Sequence, residues 1–178
     1  FVQSRGVDFL FAPYSSLVTE AVLPIAEENR IPILIGGAAA DRLWEKGFRY
    51  PVGIYTPASK FTVGFLELLV WKGLDDIALL YAQDPFSADL ADGSRKWAER
   101  FGLRLAWEKS FPKTAPDFAA LAEGARQSGA QVVMMCGHMG EAVGMRRALK
   151  QIGWSPKAYY ASVGPALQAF YDKCREDA

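Results

Sequence analysis

Short apolar runs alternate with amphipathic stretches along the whole chain of 178 residues. Five such runs read VDFLFA (7–12), IPILIGG (31–37), DIALLYA (76–82), QVVMMCG (131–137) and AYYASV (158–163). Short runs that are almost entirely apolar and are bounded by Gly, Pro, Asp or Ser are typical of strands buried on both faces of a parallel sheet. The alternation therefore predicts an α/β fold with doubly wound parallel sheets and right-handed crossovers.

The stretches between these runs carry the spacing of helices. Helices are predicted over 17–30, 88–101, 116–129 and 139–154, where apolar residues recur three or four positions apart. The most apolar stretch, FTVGFLELLVW (61–71), is too short to span a bilayer, and we interpret it as a well-buried helix.

One stretch breaks the rhythm. EKGFRYPVGIYTPASKF (45–61) holds extended character between its two prolines, which suits an edge strand or a crossover segment. We place a lobe boundary there. Residues 1–56 form the second part of a first α/β lobe and the start of the crossover, and residues 57–178 form most of a second lobe. Both ends of the chain read as parts of helices, so we expect a fragment of a larger protein.

Composition excludes several classes of function. Basic and acidic residues balance at 20 each, without the concentrated basic face that nucleic acids require. Two cysteines and one histidine are too few for a disulfide framework or a metal centre. The sequence also lacks a dinucleotide fingerprint, a P-loop and a nucleophile elbow. We therefore predict no metal, no cofactor and no catalytic residue.

The residues that follow the first two strands suggest an anion site. Ser15 and Ser16 stand at the start of a predicted helix, and Ala38, Ala39 and Ala40 follow the next strand. A helix N-terminus attracts carboxylate or phosphate, and small side chains let an anion approach the backbone. The alternative is that Ser15 or Ser16 simply caps its own helix.

Three further strand-end residues have two interpretations each. His138, the single histidine, could act as a general base or could line a site. Tyr14 and Phe86 could stack on a ligand or could belong to the core, which is the usual place for an isolated aromatic ring.

The order of motifs resembles a known family. VDFLFAPYSSLVTEAVLPIAEENRIPILIGGAAADRLW is similar to the first-lobe segment of type I periplasmic solute-binding proteins of the branched-chain amino acid transporter group. YTPASKF and LLYAQDPFSADLADGSRKWAERFGL resemble its crossing into the second lobe, and SFPKTAPDFAALAEGARQSGAQVVMMCG and ALKQIGWSPKAYYASVGPAL continue the match. The resemblance implies that an opening half-sheet and a closing segment are missing from this chain.

The resemblance also implies a site. Members of this family have two lobes that close on a small solute, and the closed form docks on an ATP-driven permease. Ser15 or Ser16, with Ala38 and Ala40, match the first-lobe positions that hold the solute's carboxylate. Phe86 and His138 match the ring-bearing residues of the second lobe. The predicted site residues are Tyr14, Ser15, Ser16, Ala38, Ala39, Ala40, Phe86, His138 and Val163.

Two positions depart from the amino-acid binders of this family. Ala40 replaces a hydroxyl, and Val163 stands where an acidic partner for the ligand's ammonium is expected. A buried ammonium without a carboxylate is costly. Aliphatic or aromatic carboxylates and amides are therefore candidates beside amino acids, unless another acid supplies the partner.

We predict the substrate-binding component of an ABC importer, periplasmic or extracellular and lipid-anchored, with a membrane permease and a small-molecule solute as partners. Two alternatives remain. A cytoplasmic ligand-sensing regulator could share the fold, and a small α/β enzyme could use His138 with a serine.

Overall fold

The computed structural model describes residues 6–175 as two parallel sheets and their connecting helices. The predicted helical ends at Phe1 and Ala178 lie outside these residues. In chain order the elements are β1 (Leu10–Phe11), α1 (Ser16–Asn29), β2 (Ile33–Ile35), α2 (Arg42–Glu45), β3 (Pro51–Gly53), a 3₁₀ turn (Ala58–Lys60), α3 (Val63–Lys72), β4 (Asp76–Ala82), α4 (Pro85–Arg100), β5 (Arg104–Phe111), α5 (Phe118–Gln127), β6 (Val132–Cys136), α6 (Met139–Gln151), β7 (Ala158–Ala161) and α7 (Gln168–Cys174).

The first sheet has three parallel strands in the order β1-β2-β3. Ile33 and Ile35 of β2 point to one face, where they pack with Leu23 of α1 and Leu43 of α2. The opposite face is open, since Phe11 is 75% exposed. The helices therefore cover one face of this sheet within the described residues.

The second sheet has four parallel strands in the order β5-β4-β6-β7. Leu79 and Met134 contribute to a core beneath α3 and α4, whereas Leu80 and Met135 contribute to a second core beneath α5 and α6. Helices on both faces bury β6 completely. This is the doubly wound α/β arrangement that the apolar runs predict.

Two elements differ from the sequence predictions. β5 was not predicted, because its sequence RLAWEKSF has an apolar run of only three residues, which three polar residues follow. It lies at the edge of its sheet, where one side meets solvent. The prediction of a well-buried α3 is wrong. Leu66 and Leu69 are buried, but Trp71 is 81% exposed on the other side of the helix.

The junction between the sheets is packed tightly around the 3₁₀ turn. The Asp41 carboxylate accepts hydrogen bonds from the Ser59 amide at 2.9 Å and the Ser59 hydroxyl at 2.6 Å. Gly93 of α4 lies against the Ser59 backbone so closely that an added Cβ would collide with it. The first sheet ends with Gly53 and the second begins with Asp76, and the lobe boundary at 56/57 stays a prediction.

Cys136 and Cys174 are both buried, at 0% and 6% exposure. Burial raises the pKa of the Cys136 thiol far above its usual range. Neither thiol is therefore readily available to reagents in solution.

Across residues 6–175, no helix has the length and apolar character needed to cross a bilayer.

Candidate functional site

A cavity of about 300 Å³ lies between the two sheets, at the carboxyl ends of their strands. This is where parallel α/β sheets usually present their loops to a ligand. Its wall consists of Tyr14, Ser15, Ser16, Gly37, Ala39, Tyr55, Phe61, Phe86, His138, Ser162, Val163, Gly164, Ala166 and Leu167. The cavity wall therefore contains seven of the nine predicted site residues, and whether they bind a solute stays a prediction.

The loop between β1 and α1 holds Ser15 in an unusual conformation. Ser15 adopts φ 83° and ψ 143°, a region that residues with a side chain rarely occupy. The Ser15 amide donates to the Gly37 carbonyl at 3.1 Å, and the Thr19 hydroxyl donates to the Pro13 carbonyl at 2.8 Å. The Ser15 hydroxyl accepts weakly from the Val18 amide at 3.5 Å, so Ser15 also caps α1, as the alternative interpretation stated.

Ser16 connects the first two strand-end loops. It is 3% exposed, and its Oγ accepts hydrogen bonds from the Ala39 amide at 3.2 Å and the Ala40 amide at 3.1 Å. A hydroxyl offers two acceptor lone pairs and one donor proton. Since both lone pairs are occupied, the Ser16 hydroxyl can take part in a further hydrogen bond only as a donor.

This contact changes the role expected of the loop Ala38–Ala40, which follows β2. The amides of Ala39 and Ala40 point to Ser16 and are already paired, so they are not open to an anion in this conformation. Ala38 and Ala40 do not line the cavity, because their side chains pack with Leu23 and Leu43 in the core of the first sheet. Ala39 alone of the three reaches the cavity wall.

The aromatic residues of the site come from both sides. Tyr14 is 68% exposed and lies on the rim, whereas Phe86 is 7% exposed and belongs to both the core and the cavity wall. Phe61 meets Phe86 edge-on, with ring centroids 5.7 Å apart. Val163 is half-buried on the second-sheet side. The cavity thus has a largely apolar body that suits a ring or a branched chain.

His138 stands at the N-terminus of α6, beside a buried carboxylate. Its Nε2 lies 3.5 Å from the Asp84 Oδ2, and its ring stacks at a tilt on Phe86 with centroids 5.3 Å apart. The Glu141 carboxylate accepts from the backbone N–H of His138 at 3.1 Å and not from the ring. Burial alone would raise the pKa of Asp84, but hydrogen bonds from His138 and Ser87 hold it well below its usual range.

A second pocket opens beside the first and shares five of its residues. Its remaining wall is more polar and consists of Leu17, Gln83, Asp84, Pro85 and Lys113. Asp84, Tyr55, Phe61 and Leu167 were not predicted as site residues. Asp84 is the second residue after a predicted strand, so its position in the sequence could have indicated a place in the site. Tyr55 and Phe61 come from the segment between β3 and α3, whose path the sequence pattern does not define.

The electrostatic field of the cleft is asymmetric. Three helices, α1, α4 and α6, begin at its wall, and each N-terminus contributes partial positive charge. Asp84 caps α4 and Glu141 lies in the first turn of α6, so carboxylates already offset two of these charges. The first turn of α1 has no acidic residue. The Ser15–Ser16 end of the cleft is therefore the end best suited to an anion.

The wall of the first cavity has no Asp, Glu, Lys or Arg among the described residues. Its chemistry is limited to hydroxyl donors, one imidazole and apolar surface, which can hold a small molecule by contact and hydrogen bonding. Neither Ser15 nor Ser16 is paired with His138, and no described group of three or more His, Cys, Asp or Glu side chains could hold a metal ion.

Comparison with known proteins gives one family. A family model described as "Periplasmic binding protein" matches residues 1–169. A curated relative from Brucella abortus, "Leu/Ile/Val-binding protein homolog 8", is 24% identical over 89% of this chain and 42% of its own length. The chain therefore spans less than half the length of the curated relatives that it matches.

Solved structures show the same fold. An extracellular ligand-binding receptor from Rhodopseudomonas palustris HaA2 superimposes with a TM-score of 0.86 at 16% identity, covering 99% of this chain and 49% of the receptor. A solute-binding protein of an ABC transporter from R. palustris, solved with 4-hydroxybenzoate, gives a TM-score of 0.82 at 20% identity, covering 97% of this chain and 49% of that protein.

Proposed function

Because the chain belongs to the periplasmic binding protein family, we propose that it forms part of the solute-binding component of an ABC importer. The protein binds a small carboxylate in the cavity between the two sheets and delivers it to a membrane permease. It works in the periplasm, or outside the cell on a lipid anchor. It performs no chemistry on the solute, since no nucleophile is paired with a base on the part of the cavity wall that the structure describes.

The single observation that carries the proposal is the Ser16 hydroxyl. Two backbone amides occupy its lone pairs and polarise it, which strengthens its remaining O–H as a donor. This donor lies at the N-terminus of α1, where the helix dipole adds positive potential. A carboxylate oxygen is the acceptor that benefits most from both effects.

The cavity wall favours a solute without an ammonium group. Val163 supplies no negative charge, and the first cavity has no carboxylate on its described wall. The rings of Tyr14, Tyr55, Phe61 and Phe86 offer stacking surface for a planar body. Aromatic carboxylates are therefore our preferred class, and the hydroxybenzoate bound by the R. palustris protein of the same fold supports this choice.

Closure of the cavity would couple binding to transport. The wall has residues from both sheets, so a solute that contacts both sides shifts the protein toward a closed form. The permease would then recognise that closed form.

Titration calorimetry of the full-length protein tests the proposal. We expect 4-hydroxybenzoate to bind at least tenfold more tightly than 4-hydroxybenzamide, which keeps the ring but lacks the charge. Ser16→Ala should weaken carboxylate binding by about tenfold, the loss of one charge-assisted hydrogen bond, and Ser16→Thr should restore most of it. Tighter binding of leucine than of any aromatic carboxylate would refute the preferred class, and no binding of any solute would refute the proposed function.

A further inference from the structure

Asp84 is placed to control the charge of the cavity. Its side chain is 11% exposed, and its carboxylate accepts from the Ser87 amide at 3.1 Å and the Ser87 hydroxyl at 2.8 Å. Its Oδ2 also lies 3.5 Å from both the Lys113 Nζ and the His138 Nε2. Although burial opposes ionisation, the hydrogen bonds from His138 and Ser87 lower the pKa of Asp84, so this carboxylate is ionised at neutral pH.

His138 is the one residue on the described wall of the first cavity that can carry a positive charge. The charged groups that face it are Asp84 from α4, Lys113 from the segment after β5 and Glu141 from its own helix. On the first-sheet side, the described wall of both pockets has the hydroxyl-bearing residues Tyr14, Ser15 and Ser16 and no acidic side chain.

We propose that Asp84 is a positioning residue that holds His138 in its protonated form when an anionic solute enters, so that the affinity for carboxylates depends on pH. This inference rests on the proposed binding of a carboxylate. The ionised Asp84 fixes the Nε2–H on one side of the ring, and the solute's negative charge approaches from the cavity side. An imidazolium between two anions is favoured over a neutral imidazole.

Linkage then fixes the direction of the pH effect. If the complex holds a proton that the free protein lacks, binding takes up that proton and weakens as the pH rises. The limit is about a tenfold loss of affinity per pH unit. Imidazole side chains change charge between about pH 5 and 8, so the effect belongs to that range. A neutral solute gains nothing from the imidazolium and should bind with little dependence on pH.

The test is calorimetry of the full-length protein with 4-hydroxybenzoate between pH 6 and 8, in buffers of different ionisation enthalpy that count the protons taken up. Wild type should take up a fraction of one proton per solute and lose about fivefold or more in affinity across this range. Asp84→Asn should move both the proton uptake and the fall in affinity to lower pH, because the neutral amide favours the imidazolium less in the free protein and in the complex alike. His138→Gln should take up none.

Two matched controls separate positioning from simple structural damage. Asn caps a helix as well as Asp, so Asp84→Asn keeps the capping group of α4. Asp117 also caps a helix, with its carboxylate accepting from the Ala120 amide at 3.0 Å, but it lies on neither pocket wall. Asp117→Asn should leave affinity, proton uptake and the pH profile unchanged. The neutral analogue 4-hydroxybenzamide supplies a solute control.

The outcomes are distinguishable. Carboxylate binding with the same pH dependence of affinity and proton uptake in wild type and Asp84→Asn overturns the inference and leaves the proposed function standing. An equal shift of the pH profile in Asp117→Asn overturns it too, since the effect would then follow from the loss of any capping charge. If 4-hydroxybenzoate does not bind at any pH, the proposed aromatic carboxylate class fails and the inference fails with it.

Discussion

Among single residues, Ser16 links the first two strand-end loops, because its one hydroxyl is the acceptor for two buried amides. Those amides belong to residues 23 and 24 positions after Ser16 in the sequence. The contact forms because β1 and β2 are parallel neighbours, which brings their carboxyl ends together at one edge of the sheet. Because this contact uses both lone pairs of the oxygen, it leaves the hydroxyl proton as the group that we assign to the solute.

We expect Ser16→Ala to lower the free energy of unfolding by about 1–3 kcal/mol, because it leaves the Ala39 and Ala40 amides without an acceptor. Urea denaturation of the unliganded protein measures the change. Ser155→Ala is the control, since Ser155 is exposed, and it should stay within about 0.5 kcal/mol of wild type. Equal stability of the Ser16 variant and wild type would show that the amides find another partner.

From the sequence, we predicted which side chains lie at the cavity more accurately than we predicted what each of them does there. Tyr14, Ser15, Ser16, Ala39, Phe86, His138 and Val163 share one cavity because each follows or closely follows a parallel strand. The inward turn of Ser16 and the placement of Ala38 and Ala40 in the core depend on pairing across the sheet. The contact between His138 and Asp84 depends on the neighbouring positions of β4 and β6. Local sequence contains neither fact.

At the scale of elements, a continuous apolar run was a reliable signal, but only for strands that have one. β4 and β6 are central, so their residues are apolar apart from Asp76 at the start of β4, and both strands were predicted. β5 lies at an edge and β3 is short and ends its sheet, so neither needs such a run. For α3, the apolar count predicted burial, but Leu66 and Leu69 lie on one side and Trp71 on the other.

The packing of α4 on the 3₁₀ turn provides a prediction for these two elements. Gly93→Ala would place a Cβ inside the Ser59 backbone, so we expect it to destabilise the protein by about 2 kcal/mol or more. Gly64→Ala in α3 is the matched control, because a Cβ there meets no atom within 4 Å. It should be neutral or stabilise by up to about 1 kcal/mol, as Ala is the better helix former. Thermal unfolding gives the melting temperatures of both variants. Similar values would contradict the close approach of Gly93 to the Ser59 backbone.

For the molecule as a whole, the important feature is that two sheets share one cavity. Hydrogen bonds and an ion pair outside the cavity hold the two sides together. Asp41 bonds Ser59, and Arg42 of α2 meets Asp89 of α4 at 3.4 Å. These contacts lie away from the cavity wall. They can therefore change how readily the cavity assembles without changing what it recognises.

We expect Asp41→Ala to weaken the binding of every solute by a similar factor, about three- to tenfold. The loss of both Ser59 hydrogen bonds lowers the population of the binding-competent form, and that reduction applies equally to all ligands. Calorimetry with 4-hydroxybenzoate and 4-hydroxybenzamide gives, for each solute, the ratio of the variant's affinity to the wild-type affinity. Glu20→Gln is the control, because Glu20 pairs with Lys46 at 2.8 Å within the first-sheet side alone, and its affinities should match wild type. A loss confined to one solute would mean that Asp41 affects recognition directly.

The burial of both native thiols has a practical consequence. A cysteine introduced at Leu167, which is 52% exposed on the cavity rim, would be the one thiol open to a maleimide dye in the described part of the chain. A fluorophore attached there would sit where water leaves as the solute enters. The scaffold is thus ready for conversion into an optical biosensor without prior removal of its own cysteines.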